Sequence, residues 1–255
     1  MFRSLPIALW GGRPRPRATP LVALLRRFQI PAKERALVFD LLVFDLDGTL
    51  IDSRLDLANA VNATRLHLGM AALSNERVYS YVGNGAPLLI RRAVGDQASE
   101  PEVQEALEYF LEYYREHDLD FTTIYPGVRE SLDRLAAAQK RMAVLTNKPV
   151  RVSQAILEGL GVGPHFFRVY GGNSFAFKKP NPIGIDCLIE QTGIGRDRTL
   201  MVGDSSVDVE TARNARIACC GVTYGFQPES LDLTPPDLKV DRMEQMVDWV
   251  LNPAQ

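Results

Sequence analysis

In the stretch Leu37-Val38-Phe39-Asp40-Leu41-Leu42-Val43-Phe44-Asp45-Leu46-Asp47-Gly48-Thr49 an apolar run ends in two acids and a turn. The letters Leu-Val-Phe-Asp-Leu occur twice, at 37–41 and 42–46, so Asp40 and Asp45 compete for one role. Five strand residues span about 16 Å, which keeps both from serving a single site. Asp45 is followed by Asp47-Gly48-Thr49, a turn that lifts it off the strand end, whereas Asp40 reads as the polar start of the strand. A short, wholly apolar strand of this kind belongs in the middle of a parallel sheet.

Downstream the same theme recurs. Apolar runs at 142–145, 168–170, 200–202 and 219–222 alternate with amphipathic segments at 128–139, 150–160, 183–192 and 207–215. Strand-helix alternation predicts an α/β fold, a doubly wound parallel sheet of Rossmann type with helices on both faces. Residues 56–125 break the alternation: Leu57, Val61, Thr64 and Leu68 form one helical face, and Val103, Leu107, Phe110, Leu111 and Tyr114 another. The expected organisation is a core domain of residues 36–55 and 126–255, with a helical cap over 56–125 inserted after the first strand. Pro126-Gly127 marks the return to the core.

Composition narrows the function classes. Hydrophobic residues at 46% and charged residues at 24% suit a globular protein, and no apolar run approaches the roughly 20 residues of a spanning helix. Cys187, Cys219 and Cys220 lack C-x-x-C spacing, so inert thiols in a cytoplasmic protein are expected. The net charge of −2 conceals a basic segment, 1–35, where Arg3, Arg13, Arg15, Arg17, Arg26, Arg27, Lys33 and Arg35 face only Glu34. Its prolines, and the lack of interleaved aromatics, argue against nucleic-acid binding and for a disordered, dispensable extension. A membrane partner is not expected either. His67, His117 and His165 are scattered without an i, i+4 pair and read as structural.

Four polar clusters each follow an expected strand: Asp45 to Thr49, Thr146-Asn147, Lys178-Lys179-Pro180, and Gly203-Asp204-Ser205-Ser206-Val207-Asp208. Open α/β sheets bind ligands at the carboxyl ends of their strands, so the four can converge. Taken singly, each has a plainer reading. Asp45-x-Asp47-Gly48 would suit a calcium loop, but Leu50 stands where that loop requires glycine. Thr146-Asn147 alone is a polar strand end, Lys178-Lys179-Pro180 a solvated turn, and Gly203-Asp204-Ser205 a turn with a helix cap. Four at successive strand ends are a site.

In this order and with these letters, the clusters resemble the four motifs of the haloacid dehalogenase-like hydrolases, over roughly residues 40–226. The resemblance implies a magnesium-dependent phosphoric monoester hydrolase with a phospho-aspartyl intermediate on Asp45. Asp47 would be the general acid and base, an acid that phosphatases of this superfamily keep and the dehalogenases lack. Thr146, Asn147 and Lys179 would hold the phosphoryl group, with Lys179 balancing the carboxylates. Asp45, the Asp47 carbonyl, Asp204 and Asp208 would hold Mg2+, Asp208 directly or through water.

Further likeness to the phosphoglycolate phosphatase branch lies in Val82-Gly83-Asn84-Gly85-Ala86 with Arg92 downstream, in Tyr125-Pro126-Gly127-Val128, in Thr146-Asn147-Lys148-Pro149, and in residues 221–225. It implies 2-phosphoglycolate as substrate, with Gly83, Asn84, Gly85 and Arg92 of the cap receiving its anionic end. Two letters depart from the pattern: Arg216, where glycine is usual after a helix, and Asn173, where aspartate is. Other small sugar phosphates, an amino-sugar 6-phosphate or a nucleotide remain alternative substrates. A non-catalytic phosphate- or partner-binding relative is the alternative of another class, although binding alone needs no nucleophile and acid two residues apart. A small phosphorylated metabolite as partner and a monomer or homodimer complete the expectation.

Overall fold

Residues 41–44 are buried at every position, and this follows from where the strand lies. In the computed structural model, which describes residues 38–252, β1 (Leu41–Phe44) is flanked on both sides by parallel strands. Val43 stands opposite Ala143 of β4 (Arg141–Leu145) and Met201 of β6 (Thr199–Gly203). The sheet continues outward to β5 (Arg168–Tyr170) on one side and to β7 (Ala218–Val222) and β8 (Leu238–Val240) on the other. Its order is β5-β4-β1-β6-β7-β8, all parallel, as expected for a doubly wound sheet. The chain winds outward through β4 and β5, then crosses back to β6. This reversal beside β1 opens a crevice at the carboxyl ends of β1, β4 and β6.

Period-two alternation sends side chains of one strand to two cores. Leu42, Phe44, Val144, Leu200 and Val202 pack with α5 (Val128–Ala137), α6 (Val150–Gly159) and α10 (Met243–Leu251) through Leu132, Leu135, Ile156, Met246 and Val247. Leu41, Val43, Ala143 and Met201 face α7 (Ile183–Thr192) and α8 (Ser206–Ala215) through Ile185, Leu188, Val209 and Ala212. A short α9 (Ser230–Leu233) precedes β8. Among the described residues no helix is long and apolar enough to cross a membrane.

Between β1 and α5 lie α1 (Arg54–His67), α2 (Asn75–Tyr79), α3 (Ala86–Val94) and α4 (Glu100–Glu116). They bury a separate core of Val61, Val78, Ile90, Ala106 and Phe110. The capping box of Ser99 and Glu102 starts α4, with Pro101 in its first turn.

Several elements escaped the sequence reading. The edge strand β8 and α10 were not foreseen, because three residues with an exposed Lys239 at their centre give no apolar run. Shorter still, at two residues each, are β2 (Ile51–Asp52) and β3 (Thr123–Ile124), which pair antiparallel where the chain leaves and re-enters the sheet domain. Helix α5 ends at Ala137 rather than 139, and Gln139 takes a left-handed φ of 56°. Arg216 does take the left-handed conformation, at φ 56° and ψ 41° after α8. Asn173 accepts the Val150 N–H at 2.9 Å, which caps the first turn of α6. The basic segment 1–35 lies outside the described residues.

Asp56 ties the two chain crossings together. Buried on α1, its carboxylate accepts the Thr122 N–H at 2.8 Å, the Thr122 hydroxyl at 2.7 Å and the Phe121 N–H at 3.0 Å. Asp56→Ala would strand these donors beneath the cap, and a buried charged acceptor is worth about 2–4 kcal/mol when removed alone. Urea denaturation should show a loss of that order, with faster amide exchange at Phe121 and Thr122. A loss under about 0.5 kcal/mol would mean that the tether carries no stability.

Candidate active site

The clusters at the ends of β1, β4 and β6 meet in one cavity, lined by Asp45, Asp47, Thr146, Asn147, Lys148 and Asp204 below and by residues of the helical layer above. Asp45 follows β1 directly and its N–H bonds to the Val202 carbonyl at 2.9 Å, so its position is set by the sheet. Asp47 sits in the tight turn that follows, where Gly48 has φ +83°. A side chain on Gly48 would bring its Cβ within 2.2 Å of Asp204 Oδ2, so two acidic strand ends approach this closely only over a glycine.

One oxygen from each of Asp45, Asp204 and Asp208 falls within 4.8 Å of the others. Against them stands Lys179, whose ammonium lies 2.8 Å from Asp45 Oδ1 and 2.7 Å from Asp208 Oδ1. Burial alone would lower the Lys179 pKa, yet Asp208 and Asp45 outweigh it and hold the lysine charged. The approach to Asp45 Oδ1 is an ion pair off the hydrogen-bonding direction, and this oxygen is otherwise without a partner. Asp208 is saturated: its second oxygen takes the Ser205 hydroxyl at 2.8 Å and the Ser205 N–H at 3.2 Å. Asp204 keeps one oxygen on the Phe226 N–H at 2.6 Å.

Crowding of like charges shows in the titration. Burial pushes the Asp45 carboxyl up to about 6, opposed by Lys179 and aided by Asp208. Burial, then Asp208 and Asp45, pushes Asp204 well above the usual range. Three buried carboxylates against the single charge of Lys179 are a donor set that fits a hard divalent cation, held by Asp45 and Asp204 with Asp208 reaching Asp45 through Lys179.

Asp47 points away from that trio. It accepts the Ser53 hydroxyl at 2.6 Å and the Lys148 ammonium at 2.9 Å. Lys148, itself buried, also donates to the Tyr114 hydroxyl at 2.7 Å. Burial would lower the Lys148 pKa, but Asp47 and Tyr114 together raise it. Thr146 accepts the Lys148 N–H at 3.2 Å through its hydroxyl oxygen, which leaves the hydroxyl proton unused. Asn147 reaches the Gly83 carbonyl at 3.2 Å and the Lys179 carbonyl at 3.3 Å, with Oδ1 buried and unpartnered.

The helical layer closes the cavity with Leu57, Leu89, Phe110 and Tyr114, and Phe226 of the sheet domain joins them. Three successive carbonyls of the 82–84 loop are held from below: Val82 by Gln227 at 2.6 Å, Gly83 by Asn147, and Asn84 by Lys178. Of the expected cap residues, Gly83 and Gly85 line the cavity; Asn84 and Arg92 are not among its lining residues, the Asn84 carbonyl accepting from Lys178 and the Arg92 guanidinium donating to the Tyr81 carbonyl at 3.2 Å. The histidines stand apart; His67 stacks on Tyr109 and His165 pairs with Asp133. Ser53, Tyr114 and Lys148 were missed as site residues. Lys148 had a signal, the Thr-Asn-Lys-Pro tetrapeptide; Tyr114 had only its place on an apolar helical face.

The haloacid dehalogenase-like hydrolase family model matches residues 42–222. A phosphoglycolate phosphatase of Chromobacterium violaceum is 40% identical over 213 residues, covering 82% of this chain and 95% of that protein. Another from Vibrio parahaemolyticus is 39% identical over 217 residues, with the same coverage. The crystal structure of a predicted phosphoglycolate phosphatase from Haemophilus somnus superposes with a TM-score of 0.78 at 32% identity, covering 82% of this chain and 97% of that one. Three of the expected clusters stand at strand ends, and the fourth, with Lys179, reaches them from the turn before α7 rather than from the end of β5. The parallel sheet, these clusters and the likenesses agree that the chain belongs to the haloacid dehalogenase-like hydrolases and is a phosphoric monoester hydrolase.

Proposed function

We propose that the chain hydrolyses 2-phosphoglycolate to glycolate and phosphate through a phospho-aspartyl intermediate on Asp45, with Mg2+ as cofactor. The observation that carries it is the division of labour among the acids: Asp45 lies in the carboxylate trio beside Lys179, while Asp47 is turned to Lys148 and Ser53. One carboxylate is thereby free to attack and the other to exchange a proton. The substrate is taken from relatives named phosphoglycolate phosphatase at 40% and 39% identity.

Asp45 forms a bond to phosphorus as the bond from phosphorus to the ester oxygen breaks, and Asp47 gives its proton to that oxygen. Asp47 then takes a proton from the water whose oxygen attacks phosphorus, which frees Asp45. Thr146 offers its unused hydroxyl proton to a phosphoryl oxygen, and Lys179 keeps a positive charge beside the nucleophile. Bound by Asp45, the Asp47 carbonyl and Asp204, Mg2+ supplies further positive charge to the phosphoryl oxygens.

Metal binding can be read without turnover. The folded-state pKa of Asp45, about 6, lies above the ordinary 3.8, so the metal-free fold carries no penalty from this group below pH 4 and a growing one as pH rises to 6. Mg2+ competes with that proton. At a hundredfold excess over Kd it should stabilise by about 2.7 kcal/mol, a rise of roughly 5–10 °C in Tm. The rise should be larger at pH 7.5 than at pH 5 and absent in Asp204→Asn. An equal rise in wild type and variant would place the cation elsewhere.

Asp45→Asn is nearly isosteric and should keep a cooperative melt while losing at least about a thousandfold in kcat. Retention of more than about a tenth of the activity rules out a covalent role for Asp45.

Asp47→Asn should cost about 10²–10⁴-fold with an alkyl phosphate and markedly less with p-nitrophenyl phosphate, whose leaving group needs little protonation. Equal losses on the two esters would refute the leaving-group role.

A further inference from the structure

The carboxylate of a 2-phosphoglycolate molecule needs a cation, and most candidates around the cavity are committed. Arg92 is turned to the Tyr81 carbonyl, Lys178 to the Asn84 carbonyl, and Lys179 lies between Asp45 and Asp208. Among the described residues the one cationic side chain lining the cavity is Lys148.

Its charge is shared unevenly. The ammonium gives one N–H to Asp47 Oδ1 at 2.9 Å, one to the Tyr114 hydroxyl at 2.7 Å and the third only loosely to Asp47 Oδ2 at 3.3 Å. The Tyr114 hydroxyl accepts from Lys148, and its own proton has no acceptor among the described residues, although Tyr114 is 2% exposed. A buried ammonium, with its longest bond at 3.3 Å, and a phenolic O–H therefore stand side by side at a cavity wall that is otherwise apolar, formed by Leu57, Leu89, Phe110 and Phe226.

Proximity to Asp47 fixes which part of a substrate meets them. A general acid must lie about 2.6–3.2 Å from the ester oxygen it protonates, and Lys148 is 2.9 Å from the same carboxylate. A carboxylate borne on the carbon next to that oxygen is two bonds away from it, which brings it beside the Lys148 ammonium. Placed against the apolar wall instead, it would be a buried charge without a partner.

The geometry points to Lys148, assisted by the Tyr114 hydroxyl, as the residue that selects phosphate esters carrying a carboxylate next to the ester carbon. This assignment rests on the phosphatase reading above and names what that site distinguishes. Lys148 also holds Asp47, so its loss slows every ester; selection is read from a ratio.

The test compares kcat/KM for 2-phosphoglycolate with that for 2-hydroxyethyl phosphate, in which a hydroxymethyl group replaces the carboxylate, using the Mg2+-loaded full chain. In Lys148→Met the preference for 2-phosphoglycolate should fall by about 10–100-fold, the range for a hydrogen bond to a charged group. Tyr114→Phe, which keeps the ring, should lower it by about 3–10-fold, and it carries the comparison alone if Lys148→Met does not melt cooperatively. A wild-type preference that the folded variants retain within about twofold overturns the assignment and leaves Lys148 as a positioning residue for Asp47. A wild-type enzyme without preference overturns the substrate reading, and selection by Lys148 with it.

Discussion

Four carboxylates, Asp45, Asp47, Asp204 and Asp208, are brought together at the ends of two neighbouring strands, where Asp204 and Asp208 are buried and Asp45 and Asp47 nearly so. Left to themselves they would repel, and burial first, then that repulsion, pushes the Asp45 and Asp204 carboxyls upward. Two buried lysines answer it in separate pairs. Lys179 bridges Asp45 and Asp208, and Lys148 holds Asp47. Each pair satisfies a charge that burial would otherwise make costly, and each leaves the acids short of full neutrality. The residual negative charge fits the cavity to a hard divalent cation.

The sheet exists in the form that this crowding requires. Parallel neighbours on both sides of β1 place Asp45 and Asp204 on adjacent strand ends, and the turn at Gly48 brings them together without a side chain between them. Asp208 belongs to the first turn of α8, so its oxygens reach both Ser205 and Lys179. Thr146 is fixed by its N–H bond to the Tyr170 carbonyl at 3.0 Å, which is sheet geometry extended one residue past β4. Strand order thus brings Asp45, Thr146 and Asp204 together, and the loop before α7 and the first turn of α8 add Lys179 and Asp208.

Sequence made the sheet and its floor visible because both depend on local patterns. Apolar runs followed by polar letters mark strand ends whatever their partners, and residues 41–44, 142–145 and 200–202 lie within observed strands. What stayed hidden depends on contacts between distant segments. Two-residue strands such as β2 and β3 exist only as a pair, and β8 only as an edge against β7. Arg92 is instructive: charge type and proximity in sequence suggest an anion contact, whereas the guanidinium donates to the Tyr81 carbonyl of the preceding loop. Tyr114 is the converse, an apolar-face residue whose hydroxyl reaches a lysine 34 positions away.

Those two residues together recast how the helical layer contributes. Instead of a cationic arm and a row of N–H groups, the cap brings an apolar wall and a phenol, and its glycine loop is held by carbonyls bound to Gln227, Asn147 and Lys178 of the sheet domain. An apolar roof over a charged floor lowers the effective dielectric between them, which strengthens each pairing on the floor. The same roof penalises any charged part of a ligand that does not find the floor's cations. Where positive charge sits beneath the cap therefore decides where a charged ligand group can be buried, and Lys148 places it beside Asp47.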